Sequence, residues 1–305
     1  MDEQQRATAD DEIDLVELFR ALWQGKWWII AVTVVFAVGG VFYALAQPNQ
    51  YQADALVAPA TDGGGMNVGG NLGGLASMAG VDLGTAEAGM QQKVIATLQS
   101  RRFLIDFIKR HELKPQLLAV KKWDEQSREW VFDTERFDPE TGEWKAPDPG
   151  ERAEPSYLEA YRTLRDQLSV SRDDEGLVTL TLESQNPEAA KQWLDWLIED
   201  INTHVKVEEM ASTRRNVEYL EQQLERTSVS GMRQVFFNLI EDQTQNLMLA
   251  ELDEEYAFEV IDPPVVPEER SAPSRALIAI LATMLGGMLS TFGVLVRYAF
   301  SSRLE

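Results

Sequence analysis

The chain has 305 residues, 44% of them hydrophobic, enough to bury a sizeable core and to make disorder the wrong default. Fifty acidic residues against 28 basic ones give a formal net charge of -22, most of it between two apolar islands, so the polar part repels nucleic acid and no nucleic-acid partner is expected. With no cysteine, disulfides, thiolate metal sites and cysteine nucleophiles are excluded.

Residues 1–26 read as a short polar tail leading into WWIIAVTVVFAVGGVFYALA, residues 27–46, which hold no charge over a length that matches the hydrocarbon core of a bilayer. Trp27, Trp28 and Tyr43 lie near its ends, where amphipathic rings favour the interface. A cleaved signal peptide is the alternative, but the apolar run is longer than a signal core and Ala44 and Ala46 are imperfect cleavage positions. A second uncharged stretch, ALIAILATMLGGMLSTFGVLV at 276–296, is closed by Arg297 and Arg303 in the tail 297–305. Arg20 and Lys26 before the first span, with Arg297 and Arg303 after the second, place both termini in the cytoplasm and residues 47–275 outside; Arg270 and Arg275 pull weakly the other way.

Within the external region, Tyr51–Pro59 reads as a strand, and 63–84 is rich in Gly, Asn, Ser and Ala, as a flexible loop is. It lacks lysine and any Gly-Lys-Ser/Thr, so it is not a phosphate-cradling loop, and no cofactor is expected. The spacing of Val94, Ile95, Leu98, Leu104, Ile105 and Ile108 predicts one amphipathic helix over 91–112, with Arg101 and Arg102 on its far side. Trp123, Trp130, Phe132, Phe137 and Trp144 then fall among turn signals. They either stack on sugar rings or pack a small satellite core.

Residues 168–184 alternate cleanly about a turn at Asp173–Gly176, which predicts a hairpin with one buried face. Asn186-Pro187-Glu188 is a helix start, with Asn as cap, Pro at the first position and an acid in the first turn. Ala190, Leu194, Leu197, Ile201 and Val205 continue at three-four spacing, and the helix is expected to reach about Arg226, roughly 60 Å. Its second half keeps only the thin stripe Val217, Tyr219, Leu220 and Leu224, so it must leave the base and pack on another helix. That partner is expected after a break at Ser228–Gly231, with Met232, Phe236, Leu239, Leu247 and Ala250 along one face; Tyr256–Asp262 returns as a strand. The fold class is therefore α+β: a sheet base drawn from both ends of the external region, carrying a long helical hairpin at about 186–255 that cannot bury its stripe alone and so calls for self-association.

In this order the chain resembles the Wzz-type chain length determinants, or polysaccharide co-polymerases. EIDLVELFRALWQGKWWII resembles the amino-terminal signature, LGGLASMAGVDLG the glycine-rich segment, and YAFEVIDPPVVPEERSAPSRALI the proline-rich motif before the second span. The resemblance implies a non-catalytic regulator of the length of O-antigen or a related surface polysaccharide, forming a homo-oligomeric ring in the inner membrane beside a polysaccharide polymerase, with nascent polysaccharide as a further contact. The proline motif maps onto Pro263, Pro264, Pro267 and Pro273, which either fix how the base sits on the second span or serve as a helix-entry linker. Gly286, Gly287, Ser290 and Gly293 form a small-residue face suited to close helix approach, or are the ordinary glycine content of a membrane helix.

Two other functions compete with this one. A polysaccharide-cleaving enzyme needs a pair of carboxylates set apart for that chemistry, whereas most acids here lie in helical charge runs or turns, and His111 and His204 stand apart without metal-ligand spacing. An adaptor for capsule or exopolysaccharide export partnering a separate cytoplasmic tyrosine kinase fits the two-span layout, and the short tails are expected to carry no kinase themselves.

Overall fold

The structure, a computed structural model, describes residues 22–60, 83–146, 150, 152–227 and 230–301. The glycine-rich stretch up to Asp82, the amino-terminal signature up to Ala21, Ser228 and Val229 of the expected hairpin tip, and Arg303 lie outside the described residues. Two compact units emerge: Met1–Asn49 with Ser271–Glu305, and Gln50–Arg270.

The larger unit is built on a four-stranded sheet of order β6-β7-β1-β8, every neighbouring pair antiparallel. The strands are β1 (Tyr51–Pro59), β6 (Leu168–Arg172), β7 (Val178–Ser184) and β8 (Phe258–Asp262). Period-two alternation puts Ala53, Ala55 and Val57 of β1 and Val178, Leu180 and Leu182 of β7 on the buried face, in register Ala53 to Leu182, Ala55 to Leu180 and Val57 to Val178. The hairpin between β6 and β7 closes as expected: the Asp173 carboxylate accepts from the N–H groups of Glu175 and Leu177, and Gly176 takes the positive φ of +94°. β8, from the far end of the region, pairs with β1 across a register shift at Leu56/Val57, so both ends of the region share one sheet.

Helices cover the inner face. In place of one helix over 91–112 the structure has two, α2 (Leu83–Leu98) and α3 (Arg101–Arg110). The break is at Ser100, whose backbone is extended and whose hydroxyl accepts from Phe103 N–H at 3.2 Å; a serine at this point caps a new helix better than it continues an old one. The restart brings Phe103 and Phe107 into the core with Leu104 and Ile108, and leaves Ile105 half-buried. A short α4 (Lys114–Leu118) and α5 (Tyr157–Gln167), the latter opened by a Ser156/Glu159 capping box, complete the layer with Leu117, Ala160 and Leu164.

Between α4 and α5 lie two small ribbons, β2 (Val120–Asp124) with β3 (Glu129–Phe132), and β4 (Phe137–Asp138) with β5 (Glu143–Trp144). Their aromatics pack on one another and on the core: Trp123 on Trp130 at 5.2 Å, Trp130 on Trp193 at 6.4 Å, and Phe137 on both Phe132 and Trp144 at 5.4 and 5.0 Å. The satellite-core reading of these residues describes what the fold does with them. Asp124 and Asp138 each accept two N–H groups of their own turns, which holds both carboxyls below the usual range. Their contribution is present above the unfolded carboxyl pKa and lost as pH falls through the depressed folded one, so these ribbons should loosen first under acid, seen as early loss of tryptophan near-ultraviolet dichroism.

Candidate functional site

The hairpin is α6 (Pro187–Arg226), 40 residues, and α7 (Ser230–Leu252). α6 starts where expected: Asn186 accepts from the N–H groups of Glu188 and Ala189, and Pro187 occupies the first turn. Its first half lies on the sheet through Trp193, Leu194, Leu197, Ile198 and Ile201. At Asn202 the helix changes role. That buried side chain accepts from Ala257 and Phe258 N–H at 2.7 and 2.8 Å and donates to Phe258 C=O at 3.0 Å, pinning the start of β8 against α6. One turn on, Lys206 donates to Glu251 C=O and Asp253 C=O, satisfying carbonyls at the end of α7.

Asn202, Lys206, Glu209, Thr213, Asn216 and Leu220 recur at four-three spacing, a seam of heptad period in which all but the last are polar. The face of α7 opposite it includes Leu239, Gln243, Asn246, Leu247 and Ala250. Polar side chains of middling length do not interdigitate as leucines do, and a half-open cavity of about 380 Å³ remains between the helices, with Tyr256 at its base. Tyr256 is buried, and that burial, with the carboxylates of Glu209 and Asp253 nearby, pushes its phenol up to about 12. The phenol therefore stays neutral at physiological pH. Because its folded pKa lies above the unfolded one, stability is unaffected below pH ~10 and falls between pH ~10 and ~12. Titration followed at 295 nm should show a late-ionising tyrosine that disappears in Tyr256→Phe; identical curves would remove this environment.

The hairpin leaves large apolar side chains uncovered: Val207 and Tyr219 on α6, and Val235, Phe237, Met248, Leu249 and Leu252 on α7, with Leu249 64% and Leu252 81% exposed. Of the face expected on α7, Ala250 is buried and Phe236 and Leu247 are half-buried, while Met232 and Leu239 are exposed.

The proline-rich segment follows β8 without helix or strand from 263 to 268. Pro264 is buried, Pro267 half-buried and Pro263 exposed; Pro273 belongs to the smaller unit. Near its end Arg270 reaches Glu125 at 3.4 Å, and Glu125 accepts from the Tyr51 hydroxyl at 2.7 Å, so the exit of the segment is tied to the start of β1 and to the β2–β3 turn. Burial, and then Glu125, raise the Tyr51 phenol above its ordinary value.

In the smaller unit α1 (Lys26–Ala46) and α8 (Arg275–Ser301) are both long and apolar enough to cross a membrane, and little of either is buried. They meet along a seam of small residues. A methyl group added at Gly286 would lie 2.6 Å from Phe36 Cβ and 3.3 Å from Thr33 Cα; one at Gly40 would collide with Ala282, and one at Gly25 would sit 2.6 Å from a Val294 methyl. A Cβ at Gly287 would lie 3.8 Å from Thr33 Oγ1, Ser290 is buried and donates to Gly287 C=O, and a Cβ at Gly293 would meet nothing within 4 Å. Of the four positions singled out on this helix, then, Gly286 lies in the tightest contact, and its counterparts, Gly40 on α1 and Gly25 just before it, went unnoticed in the sequence.

The two histidines do not stand apart. His111 stacks on Trp196 at 4.3 Å with Nε2 3.1 Å from the buried Asp200, which also receives Arg110 at 2.5 Å, and His204 meets Phe103 edge-on. Both serve packing between α3 and α6, and no metal-holding group of His, Asp and Glu occurs among the described residues.

With this geometry in hand, two family models match the chain. The chain length determinant protein model covers residues 11–111, and the GNVR model, a G-rich domain described on tyrosine kinases, covers 217–299. About a third of the chain, from the amino-terminal tail to the end of α3, thus matches the Wzz chain length determinant family. Among solved structures, a full-length bacterial polysaccharide co-polymerase aligns over 95% of this chain and 99% of its own, at 15% identity and TM-score 0.43. A fragment of WzzB, a polysaccharide co-polymerase from Salmonella Typhimurium, aligns over 73% of this chain and 100% of its own, at 13% identity and TM-score 0.29. The ferric enterobactin transport protein FepE of Escherichia coli K12 is 43% identical over 42 residues, which are 14% of this chain and 11% of that protein. The chain thus matches about a tenth of that relative's length.

Proposed function

We propose that this protein sets the length distribution of a surface polysaccharide, O-antigen of lipopolysaccharide, as an oligomeric inner-membrane co-polymerase acting with the polysaccharide polymerase. The observation that carries the reading is the chain length determinant match, running from the polar tail through α1 into the sheet base. Two membrane-length helices flanking one large α+β unit supply the layout such a regulator needs, with both termini cytoplasmic and residues 47–275 periplasmic. The uncovered apolar residues of the hairpin supply the surface by which copies assemble into a ring. Close passage of α1 against α8 at Gly286 holds the two spans together in the bilayer, and Pro263, Pro264, Pro267 and Pro273 bias the segment that follows β8 to an extended backbone.

Deletion of the gene should leave polysaccharide synthesis running but spread polymer lengths toward an unregulated, mostly short distribution. A lipopolysaccharide gel of the deletion strain beside a complemented one should lose and regain the modal cluster. An unchanged cluster removes O-antigen regulation and favours the second reading, an adaptor for capsule or exopolysaccharide polymerisation or export partnering a separate tyrosine kinase, toward which the GNVR match points. Since the chain has no cysteine, topology can be read with single substitutions: Thr141→Cys, on an exposed turn, should react with an impermeant maleimide in spheroplasts. Labelling only after lysis would reverse the orientation.

A further inference from the structure

The charges at two helix ends in the larger unit have the wrong sign for the helices that carry them. Arg101 and Arg102 occupy the first turn of α3, where unsatisfied N–H groups already leave partial positive charge, and that turn holds no acid. Both are exposed, and neither guanidinium has a hydrogen bond or ion pair among the described residues. At α7 the mismatch is reversed. Its last turn holds Glu251 and no base, Asp253, Glu254 and Glu255 follow directly, and Glu251, Glu254 and Glu255 are exposed at the negative end of that helix. Residues 251–259 hold five acids and no base, whereas 91–112 hold five bases and two acids in a chain of net charge -22. The two surfaces are level with each other. His204 of α6 meets Phe103 edge-on at 5.5 Å, and Lys206 holds the end of α7 through Glu251 C=O and Asp253 C=O. Positions two apart on a helix are about 3 Å apart along its axis and roughly 200° apart around it, so α3 and the end of α7 flank α6 on opposite sides at one height. Beside the acids, Leu249 and Leu252 stand exposed.

We propose that copies of this chain join head to tail through these two surfaces, Arg101 and Arg102 of one copy against the carboxylates of Glu251, Glu254 and Glu255 of the next. Each set of side chains then meets the charge that its own helix end lacks, and the positive end of one helix faces the negative end of another. Two different patches on opposite sides at one height form a heterologous contact, which repeats from copy to copy and makes a ring when the rotation closes, where a two-fold contact would stop at a dimer. Exposed ion pairs are weak singly, so the charges set partner and register while Leu249 and Leu252 supply apolar burial. That copies assemble at all rests on the function proposed above; which faces meet rests on charge and placement.

The test uses the full-length protein in a neutral detergent. Arg101→Glu with Arg102→Glu should raise the concentration at which the oligomer dissociates roughly tenfold or more, read by mass photometry, and Glu254→Arg with Glu255→Arg should do the same. Combining all four changes should recover most of the loss, because opposite charges again face each other. All four residues are exposed, and thermal melts check that each variant folds. The cysteine-free chain supplies a second measurement. Arg102→Cys with Glu254→Cys should cross-link under mild oxidation into a ladder that continues past the dimer, since within one copy the width of α6, about 10 Å, keeps the two positions beyond disulfide reach. Either cysteine alone should give little dimer. Single-cysteine variants that cross-link as well as the pair would mean a two-fold contact and overturn the proposal. So would charge reversals that leave the oligomer intact, a fourfold variant that stays dissociated, or a wild-type protein that is monomeric. In each case the gel profile of the deletion strain judges the regulator reading separately.

Discussion

Replacing Asn202 by alanine is expected to be among the most damaging single changes in the larger unit, costing about 3–5 kcal/mol. The side chain makes three hydrogen bonds to the backbone of Ala257 and Phe258, all buried. Its loss therefore does more than delete three modest interactions: it leaves two buried N–H groups and a buried carbonyl without the amide that satisfies them. Phe258, fully buried, would lose the backbone anchor that seats it, and with β8 loosened the edge of the sheet and the chain entering the proline segment come free together. For a unit of this size that cost corresponds to a fall in melting temperature of about 10 °C, measurable on the detergent-solubilised full chain by circular dichroism. Asn202→Asp, which sets a buried carboxylate oxygen against Phe258 C=O where the amide donated at 3.0 Å, should be no milder than Asn202→Ala. A melting point for Asn202→Ala within a degree of wild type would mean that β8 is held by its strand pairing alone.

Why the sequence made the scaffold plain and hid this residue follows from what each element depends on. The long helix was legible because Asn186-Pro187-Glu188 and the Ala190-to-Val205 series are local signals, and the β6–β7 hairpin because its alternation and Asp-to-Gly turn lie within seventeen residues. The join of β1 to β8 was inferred only because each reads as a strand at one end of the region; their register, with its shift at Leu56/Val57, is set by contacts some two hundred residues apart. The split at Ser100 was missed because the apolar spacing continues nearly in phase across it, and only the cap distinguishes two helices from one. The seam of the hairpin was missed for a different reason. A search for an apolar stripe finds Val217, Tyr219, Leu220 and Leu224, whereas the residues facing α7 are mostly polar, and Asn202 reads as an ordinary helical asparagine until β8 arrives beside it. Likewise the glycines of α8 were visible as a class, but which of them meets α1 depends on a partner helix more than two hundred residues away.

Gly286→Leu is the second change expected to have a large effect, and it acts on the helix pair. The added side chain would start 2.6 Å from Phe36 Cβ and 3.3 Å from the Thr33 backbone, and backbone cannot yield as the tip of a flexible side chain can. The helices must therefore move apart, forfeiting the close approach that also places Gly40 against Ala282, and without a hydrophobic drive between helices in lipid that packing is most of what holds them. Overpacking of this kind costs about 1–3 kcal/mol, enough to shift the pair from mostly associated to mostly open if its association is of similar size. The cysteine-free chain makes the outcome readable: Thr33→Cys with Gly287→Cys places two thiols across the seam, since Thr33 Oγ1 lies 3.8 Å from where a Cβ on Gly287 would sit. Mild oxidation of membranes should cross-link this pair efficiently, and adding Gly286→Leu should reduce the yield severalfold. Gly293→Leu, where nothing lies within 4 Å, should leave cross-linking unchanged, which separates loss of this seam from a general effect of bulk in the span. If Gly286→Leu cross-links as well as the parent, the two helices do not meet through Gly286 in the membrane, and the small residues of α8 are free to face another copy.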